Sequence, residues 1–236
     1  MKFLTRYQYD ELVRAASVLE EDDRGIKVMR QPEPLGRIIK LFRVKRLMSS
    51  ALIYPYSFRF RKNAFKLNRI NIRAPVVEEI FFCWSIKRHG VIYCPVEGQS
   101  LECLIQNIEE KSGQGQISDE VTSNLLEELT QFIAGLHRKG VYCRSLHPGN
   151  ILLDKRHNFG LIDVADTRFK LRHLSPELRV RNFRHFLRRV EHTRMFSGGG
   201  LADFFLAYLN AANLSQAEHS RFLRLANRAF DVQLST

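Results

Sequence analysis

The sequence contains no apolar run of the roughly 18 to 20 residues that a membrane-spanning helix requires. The first ten residues include Lys2 and Arg6 but no continuous apolar stretch after them, so we expect no signal peptide. The four cysteines lie far apart, with no C-x-x-C pair and no His/Cys cluster at metal-ligand spacing. This pattern argues against a disulfide framework and a zinc site, and it favours reduced thiols. Together these absences predict a cytoplasmic protein.

Acidic residues are missing altogether from residues 34–77, which contain eleven Lys and Arg. A second basic stretch, residues 168–194, has nine Lys and Arg against Glu177 and Glu191, and the whole chain carries a net charge of +12. Such surfaces attract polyanions, among them nucleic acid, anionic lipid headgroups and phosphorylated glycolipids. A basic surface that serves only solubility explains the same charges, so composition alone does not select a partner.

The composition is that of a globular protein, since 44% of the 236 residues are apolar, enough for one large domain or two lobes sharing a cleft. Strand patterns and turns dominate residues 17–43, with one turn at Asp22 to Gly25. A helical spacing covers Phe58 to Ile70. Residues Glu78 to Cys94 predict a β-hairpin that turns at His89-Gly90.

Helical patterns dominate the second part of the chain. The strongest follows Ser118, whose hydroxyl can cap it, and ends at Gly140. Two short strands after it predict a second hairpin, Ile151–Leu153 with Phe159–Val164. Further helices are predicted over Ser175 to Val190, Leu201 to Ala212 and Ser215 to Phe230.

This order of elements, strands first and then mostly helices, predicts an α+β fold of two lobes. We place a small β-rich N-lobe at residues 1–94, a Pro/Gly hinge at residues 95–98 and a mainly helical C-lobe at residues 99–236. The two lobes together form one domain.

The most informative segment follows the strongest helix. It contains Arg144, Leu146, Pro148 and Asn150, then an apolar triplet, and Asp163 comes thirteen residues after Asn150. This ordered set resembles the kinase catalytic loop H-R-D-x-x-x-x-N and the metal-binding aspartate that follows it. A loop that presents an amide and a hairpin that returns a carboxylate can supply two oxygen ligands to Mg²⁺ on a nucleotide. The resemblance therefore implies ATP and Mg²⁺ as cofactors, with Asn150 and Asp163 holding the metal.

A lysine that contacts the α- and β-phosphates of ATP is also expected in such a protein. Lys40 lies in the β-branched strand Arg37 to Phe42, which resembles the V-A-I-K strand of kinases. Lys45 is the alternative, and a solvent-facing lysine at the end of a strand would look the same.

A more particular resemblance is to bacterial lipopolysaccharide-core (heptose/Kdo) kinases and the related toluene-tolerance proteins, and it covers roughly residues 17 to 190. Segments that carry it include Gly25 to Arg30, Ile39 to Arg43, Lys45 to Leu47 with Pro55-Tyr56, Ile72 to Pro75, Tyr142 to Asn150, Leu161 to Asp166 and Arg181 to His185. It implies a protein-kinase-like fold that phosphorylates a core sugar at the inner face of the inner membrane. The implied partners are an anionic glycolipid or phosphorylated sugar, with peripheral membrane contact through the basic patches.

The chain departs from the kinase pattern at three places. Ser145 replaces the catalytic aspartate, and a serine hydroxyl is a poor general base near neutral pH. His147, where many kinases have lysine, titrates in the right range to take the proton or could contact the γ-phosphate. No Gly-rich phosphate loop is present, and Asn63 lies near the register where a glutamate should pair with Lys40, which leaves Asp163 as the alternative partner of that lysine.

Three functions remain open at this point. The first is a kinase in which Arg144, Ser145 and His147 form the catalytic loop and Lys40, Asn150 and Asp163 bind Mg²⁺–ATP. The second is a pseudokinase that regulates envelope assembly. The third, a nucleic-acid-binding protein, is disfavoured because no recognised nucleic-acid module is present.

Overall fold

The computed structural model describes residues 1–44, 54–112, 119–188 and 200–234. The chain divides into two compact units. One comprises Met1–Glu97 and Leu161–Ala165, and the other comprises Gly98–Gly160 and Asp166–Thr236. The short segment Leu161–Ala165 therefore packs with the first unit although most of its sequence neighbours belong to the second. Within the described ranges, no helix is long and apolar enough to cross a membrane.

The first unit is built on a six-stranded sheet with the order β1-β5-β6-β4-β3-β2. Its strands are β1 (Lys2–Phe3), β2 (Ser17–Asp22), β3 (Gly25–Arg30), β4 (Ile38–Arg43), β5 (Val76–Cys83) and β6 (Arg88–Cys94). Strand β1 pairs with β5 in parallel, and the other pairs are antiparallel. Among the described residues of this unit, two helices accompany the sheet, α1 (Arg6–Val13) and α2 (Tyr56–Arg69).

Both faces of this sheet are covered, and β4 shows how. Ile39 and Leu41 point into a core that also contains Met29 and Phe81. Successive side chains of a strand alternate between faces, so Lys40 lies on the other face, where its Nζ is 6.0 Å from the centre of the Phe60 ring of α2. Strand β4 thus buries Ile39 and Leu41 on one face of the sheet and presents Lys40 on the opposite face.

The hairpin of β5 and β6 corrects one prediction from the sequence. The turn lies at residues 84–87, and His89-Gly90 is inside β6. Gly90 is needed there for space, because a Cβ at this position would lie 2.4 Å from Cζ of Phe81. His89 is buried, with its Nδ1 2.9 Å from Oγ of Ser57. The dipeptide that looked like a turn is therefore a site of close packing.

The second unit is mainly helical. Its helices are α3 (Leu101–Ser112), α4 (Asp119–Arg138), α5 (Pro176–Phe186), α6 (Gly200–Ala212) and α7 (Gln216–Phe230). Strands β7 (Gln99–Ser100), β9 (Ile151–Leu153) and β10 (Phe159–Leu161) form a sheet of order β10-β9-β7, and β8 (Val141–Cys143) pairs antiparallel with β11 (Thr167–Phe169). The predicted cap Ser118 and the predicted helix end Val190 lie outside the described residues.

A buried polar network lies among the aromatic side chains of this unit. His137, at the end of α4, has Nδ1 2.7 Å from Oη of Tyr208 and Nε2 3.2 Å from Oδ1 of Asn182. Arg179 is 1% exposed and donates to Oη of Tyr208 and to the carbonyl of Leu174. Because buried polar groups are costly unless they are paired, this network fixes α4, α5 and α6 in one arrangement.

Candidate active site

Lys40 and Asp163 form an ion pair within the first unit. Nζ of Lys40 lies 2.7 Å from Oδ1 of Asp163, and the two side chains are 16% and 36% exposed. The pair joins β4 to the segment that follows β10. A lysine held in this way is partly shielded from water, and its amino group has a fixed position beside a carboxylate.

Asp163 has a left-handed backbone conformation, with φ of 53°. Such a conformation is uncommon for residues other than glycine, although aspartate tolerates it better than most, and strain of this kind is frequent at functional sites. The segment is held on both sides of Asp163. The amide of Leu161 donates to the carbonyl of Arg73 at 2.8 Å, and Asn63 binds the residues that come after the aspartate.

Asn63 supports the Asp163 segment in a way that the sequence did not reveal. Its Nδ2 donates to the carbonyls of Val164 at 2.9 Å and Ala165 at 3.1 Å, and the residue is 8% exposed. It thus holds the backbone of the segment that carries Asp163. The available signal was a polar side chain within the apolar stripe of α2, at the spacing of Phe60 and Ala64.

Asn150 is oriented by two hydrogen bonds within the second unit. It ends the 3₁₀ helix Pro148–Asn150, and its Nδ2 donates to the carbonyl of Ser145 at 2.9 Å and lies 2.8 Å from Nε2 of His147. In this arrangement Nε2 of His147 is the acceptor, so the ring proton is on Nδ1. Oδ1 of Asn150 makes no hydrogen bond within the described parts of the chain, which leaves it available to an external group.

Glu102 is a second residue that sequence reasoning missed. A Cβ at Gly149 would lie 2.5 Å from Oε2 of Glu102 and 3.2 Å from Nδ1 of His147. The carboxylate and the imidazole therefore border the same point, and a side chain at Gly149 would have to displace the Glu102 carboxylate. No spacing rule connects Glu102, at the start of α3, to a loop more than forty residues later.

The remaining predicted catalytic residues, Arg144 and Ser145, follow β8. The side chain of Arg144 is exposed and that of Ser145 is half-buried. The carbonyl of Cys143, just before them, accepts a hydrogen bond from Nδ2 of buried Asn182 at 2.6 Å. The loop thus starts from a rigid point in the core. Lys45, the alternative nucleotide-binding lysine, lies outside the described residues.

Each unit contains one side-chain oxygen of the kind that Mg²⁺ prefers over a transition metal. Oδ1 of Asn150 and the second carboxylate oxygen of Asp163 are both hard ligands without a hydrogen bond in the described chain. No group of three or more His, Cys, Asp or Glu that could hold a metal occurs among the residues described. Mg²⁺ is usually bound through one or two protein ligands together with substrate phosphates, and each of these oxygens, taken by itself, is of the type that such an ion uses.

Residues 97–224 match the sequence model of the lipopolysaccharide kinase (Kdo/WaaP) family. Among solved structures, the fold is similar to that of WaaP in complex with acyl carrier protein, with a TM-score of 0.60 and 14% sequence identity over 93% of this chain and 92% of that one. A structure of WbdD with a kinase inhibitor gives a TM-score of 0.47 and 14% identity over 87% of this chain and 43% of that one. No curated protein sequence matches. Because the family model spans more than half of the sequence and WaaP shares the fold, the chain belongs to the lipopolysaccharide kinase (Kdo/WaaP) family and has its kinase-like α+β fold.

Proposed function

We propose that this chain is an ATP-dependent kinase that transfers the γ-phosphoryl group to a hydroxyl of a lipopolysaccharide-core sugar. The observation that carries the proposal is the Lys40–Asp163 ion pair, at 2.7 Å, in a member of this family. Phosphoryl transfer depends mainly on positioning and on neutralising phosphate charge. A fixed lysine and a fixed carboxylate are the groups that such a reaction needs.

In this proposal Lys40 binds the α- and β-phosphates, while Asn150 and Asp163 each supply an oxygen to Mg²⁺. The ion, when bound, neutralises charge on the phosphates. The chain order supports the assignment, because Asn150 immediately precedes β9 and Asp163 follows β10, the strand beside β9 in the sheet. Asn63 and the Arg73 carbonyl keep the Asp163 segment in place.

The acceptor hydroxyl needs a group other than Ser145 to receive its proton. His147 is the residue we assign, with Glu102 bordering the same space beside Gly149. Its Nε2 accepts a hydrogen bond from Asn150 in this structure, so it can take the proton only after that contact opens. General acid–base assistance contributes a factor of about 10² to 10⁴ in rate, so the loss of the usual aspartate would slow phosphate transfer without abolishing it.

The test is phosphate transfer from radiolabelled ATP to purified lipopolysaccharide-core oligosaccharide with Mg²⁺ present. We expect label in the wild-type product and none with Asp163→Ala. His147→Gln should lower kcat with little change in KM for ATP. Transfer that is unaffected by Asp163→Ala would contradict the proposal.

A pseudokinase is the second candidate, and two observations favour it. Ser145 lacks the basicity of aspartate. The turn between β2 and β3, where kinases have a Gly-rich loop, instead carries Asp22 and Asp23, of which Asp22 is held by Arg43 at 2.8 Å. Mg²⁺-dependent stabilisation by ATP without transfer to any acceptor would support this candidate.

The location at the inner face of the inner membrane also belongs to the proposal. Helix α2 contains five Lys and Arg and no acidic residue, and Arg61, Lys62 and Arg69 are exposed beside Phe65, which is 62% exposed. A basic helix face with an aromatic side chain suits anionic headgroups. Because WaaP was solved with acyl carrier protein, we also propose a partner of that kind for this chain.

A further inference from the structure

Three arginines lie close in sequence to the contact between β8 and the end of α5, which includes His185. Arg144 follows β8, Arg181 lies one helical turn before His185 in α5, and Arg188 comes directly after Leu187, which caps that helix. Burial lowers the pKa of His185, and the positive charges of Arg144, Arg181 and Arg188 each lower it further. We call Arg144, Arg181 and Arg188 the arginine cluster.

The core holds this cluster in place. Oη of Tyr142, in β8, lies 3.1 Å from Nε2 of His185, and Tyr142 is 4% exposed. Asn182, one turn earlier on the same helix and 1% exposed, donates to the carbonyl of Cys143 at 2.6 Å. Two hydrogen bonds therefore join β8 to α5 on either side of the point where Arg144 leaves the strand.

The positive charge of the cluster is not compensated. All three arginines are exposed, and none forms an ion pair with a carboxylate in the part of the chain that the structure describes. At the other end of the same helix, by contrast, Glu177 pairs with Arg221. The negative end of the α5 dipole accounts for some basic residues near His185, but Arg144 is not part of the helix.

We propose that the arginine cluster is an anion subsite, which binds a phosphate or carboxylate group of the acceptor sugar. The guanidinium group matches both anions with paired hydrogen bonds. Arg144 is the neighbour of Ser145, so an anion held here would place an adjacent sugar hydroxyl at the catalytic loop. The inference rests on the proposed function for the identity of the acceptor but not for the binding of an anion.

The first experiment measures binding without catalysis. Glucose 6-phosphate, glucuronate and glucose are titrated into the protein at low ionic strength, and the NMR signal and pKa of the His185 ring are followed. A bound anion should raise the pKa of His185, and glucose should have no effect. A response to glucose 6-phosphate alone assigns the subsite to phosphate, and a response to both anions assigns it to either group.

The variant Arg181→Gln/Arg188→Gln should weaken anion binding by at least about tenfold, because hydrogen bonds to charged groups each contribute appreciably. The control Lys155→Gln/Arg156→Gln removes the same charge from the exposed turn between β9 and β10 and should bind as the wild type does. An unchanged His185 signal with every anion, or equal binding by the wild type and the Arg181/Arg188 variant, would overturn the inference.

Kinetics separate this inference from the proposed function. With an anionic core acceptor, the Arg181/Arg188 variant should raise KM for the acceptor about tenfold and leave KM for ATP unchanged. Anion binding at His185 without phosphate transfer by any variant would refute the kinase and keep the subsite. Transfer with an unaltered acceptor KM in that variant would refute the subsite and keep the kinase.

Discussion

Asn63 lies near the register at which the kinase resemblance places the glutamate partner of the nucleotide-binding lysine. Here the lysine pairs directly with Asp163, and the amide of Asn63 binds the two backbone carbonyls that follow it. The neutral side chain of Asn63 thus holds the backbone of the segment, and within the described chain Lys40 and Asp163 pair with each other without a third charged residue. The sequence indicated the missing glutamate but could not indicate what the asparagine binds, because its partners are backbone atoms about a hundred residues away.

Asn63→Ala should reduce the affinity for Mg²⁺–ATP, since the Asp163 segment loses both hydrogen bonds from Asn63. It should also lower the free energy of unfolding by about 1 to 3 kcal/mol, the usual cost of leaving buried polar groups unpaired. Asn68→Ala is the matched control, because Asn68 lies on the same helix and also binds backbone atoms, those of Ala74 at 3.0 and 3.1 Å. Calorimetric titration with ATP should show a loss of affinity only for the first variant, and equal losses would contradict the role of Asn63.

Among the elements, strand β4 positions Lys40 and depends on close packing against β6. Gly90 of β6 lies opposite Leu41, and a Cβ at Gly90 would approach Phe81 within 2.4 Å and the carbonyl of Lys40 within 3.0 Å. The lysine therefore stays in register only if this position has no side chain. The constraint involves three neighbouring strands of the sheet.

Gly90→Ala should destabilise the protein by about 1 to 3 kcal/mol, because overpacking displaces side chains and backbone. Gly135→Ala, in the interior of α4, should be neutral or stabilising by up to about 1 kcal/mol, since the nearest atom is 3.9 Å away and alanine favours helix. Urea denaturation of both variants measures the difference. A Gly90→Ala protein as stable as the wild type would show that the packing is looser than described.

Sequence patterns revealed the longer elements and missed those that depend on distant partners. The amphipathic spacing of α2 and α4 and the strand pattern of β4 were readable because one face of each is apolar. The β8–β11 pair was not predicted, since each strand has only three residues, too few for an alternating pattern. His89-Gly90 was wrongly taken for a turn because the dipeptide looks alike in a loop and beside an aromatic ring.

Two buried histidines make the stability of the whole molecule depend on pH. Burial lowers the pKa of His137 to about 3, assisted by the charge of Arg179, and burial lowers the pKa of His89 to about 4. In the unfolded chain both histidines have the ordinary pKa of about 6.5. Because the folded values are lower, the unfolded state binds these protons first, so the stabilisation is complete above about pH 6.5 and is lost as pH falls towards 4.

The free energy of unfolding should therefore decrease between pH 7 and pH 5, by at most about 1.4 kcal/mol per pH unit for each histidine. The variant His89→Gln should show a smaller slope between pH 7 and pH 5. Its own free energy of unfolding should be nearly equal at pH 7 and at pH 8. Urea denaturation at pH 5, 6, 7 and 8 measures it. A wild-type protein that is more stable at pH 5 than at pH 7 would contradict the buried, neutral state of these rings.

The division of the chain into two compact units is a second property of the whole molecule. Sequence reasoning gave a single boundary near residues 95–98, whereas Leu161–Ala165 groups with the first unit. That segment contains Asp163, and its anchors, Lys40, Asn63 and the Arg73 carbonyl, all come from the first unit. Side-chain pairs of this kind follow from tertiary packing, so local patterns could suggest the aspartate but not the unit it belongs to.

The central proposal is that Lys40 and Asp163 bind ATP in a Mg²⁺-dependent way, and calorimetric titration with ATP tests it most directly. The wild type should bind ATP with Mg²⁺ and more weakly with EDTA, and Asp163→Asn, which keeps the shape but not the charge, should weaken Mg²⁺–ATP binding by at least about tenfold. Asp203→Asn, which removes one exposed carboxylate from α6, serves as the control and should bind like the wild type. Equal Mg²⁺–ATP affinity in Asp163→Asn and the wild type, or no ATP binding at all, would contradict the account.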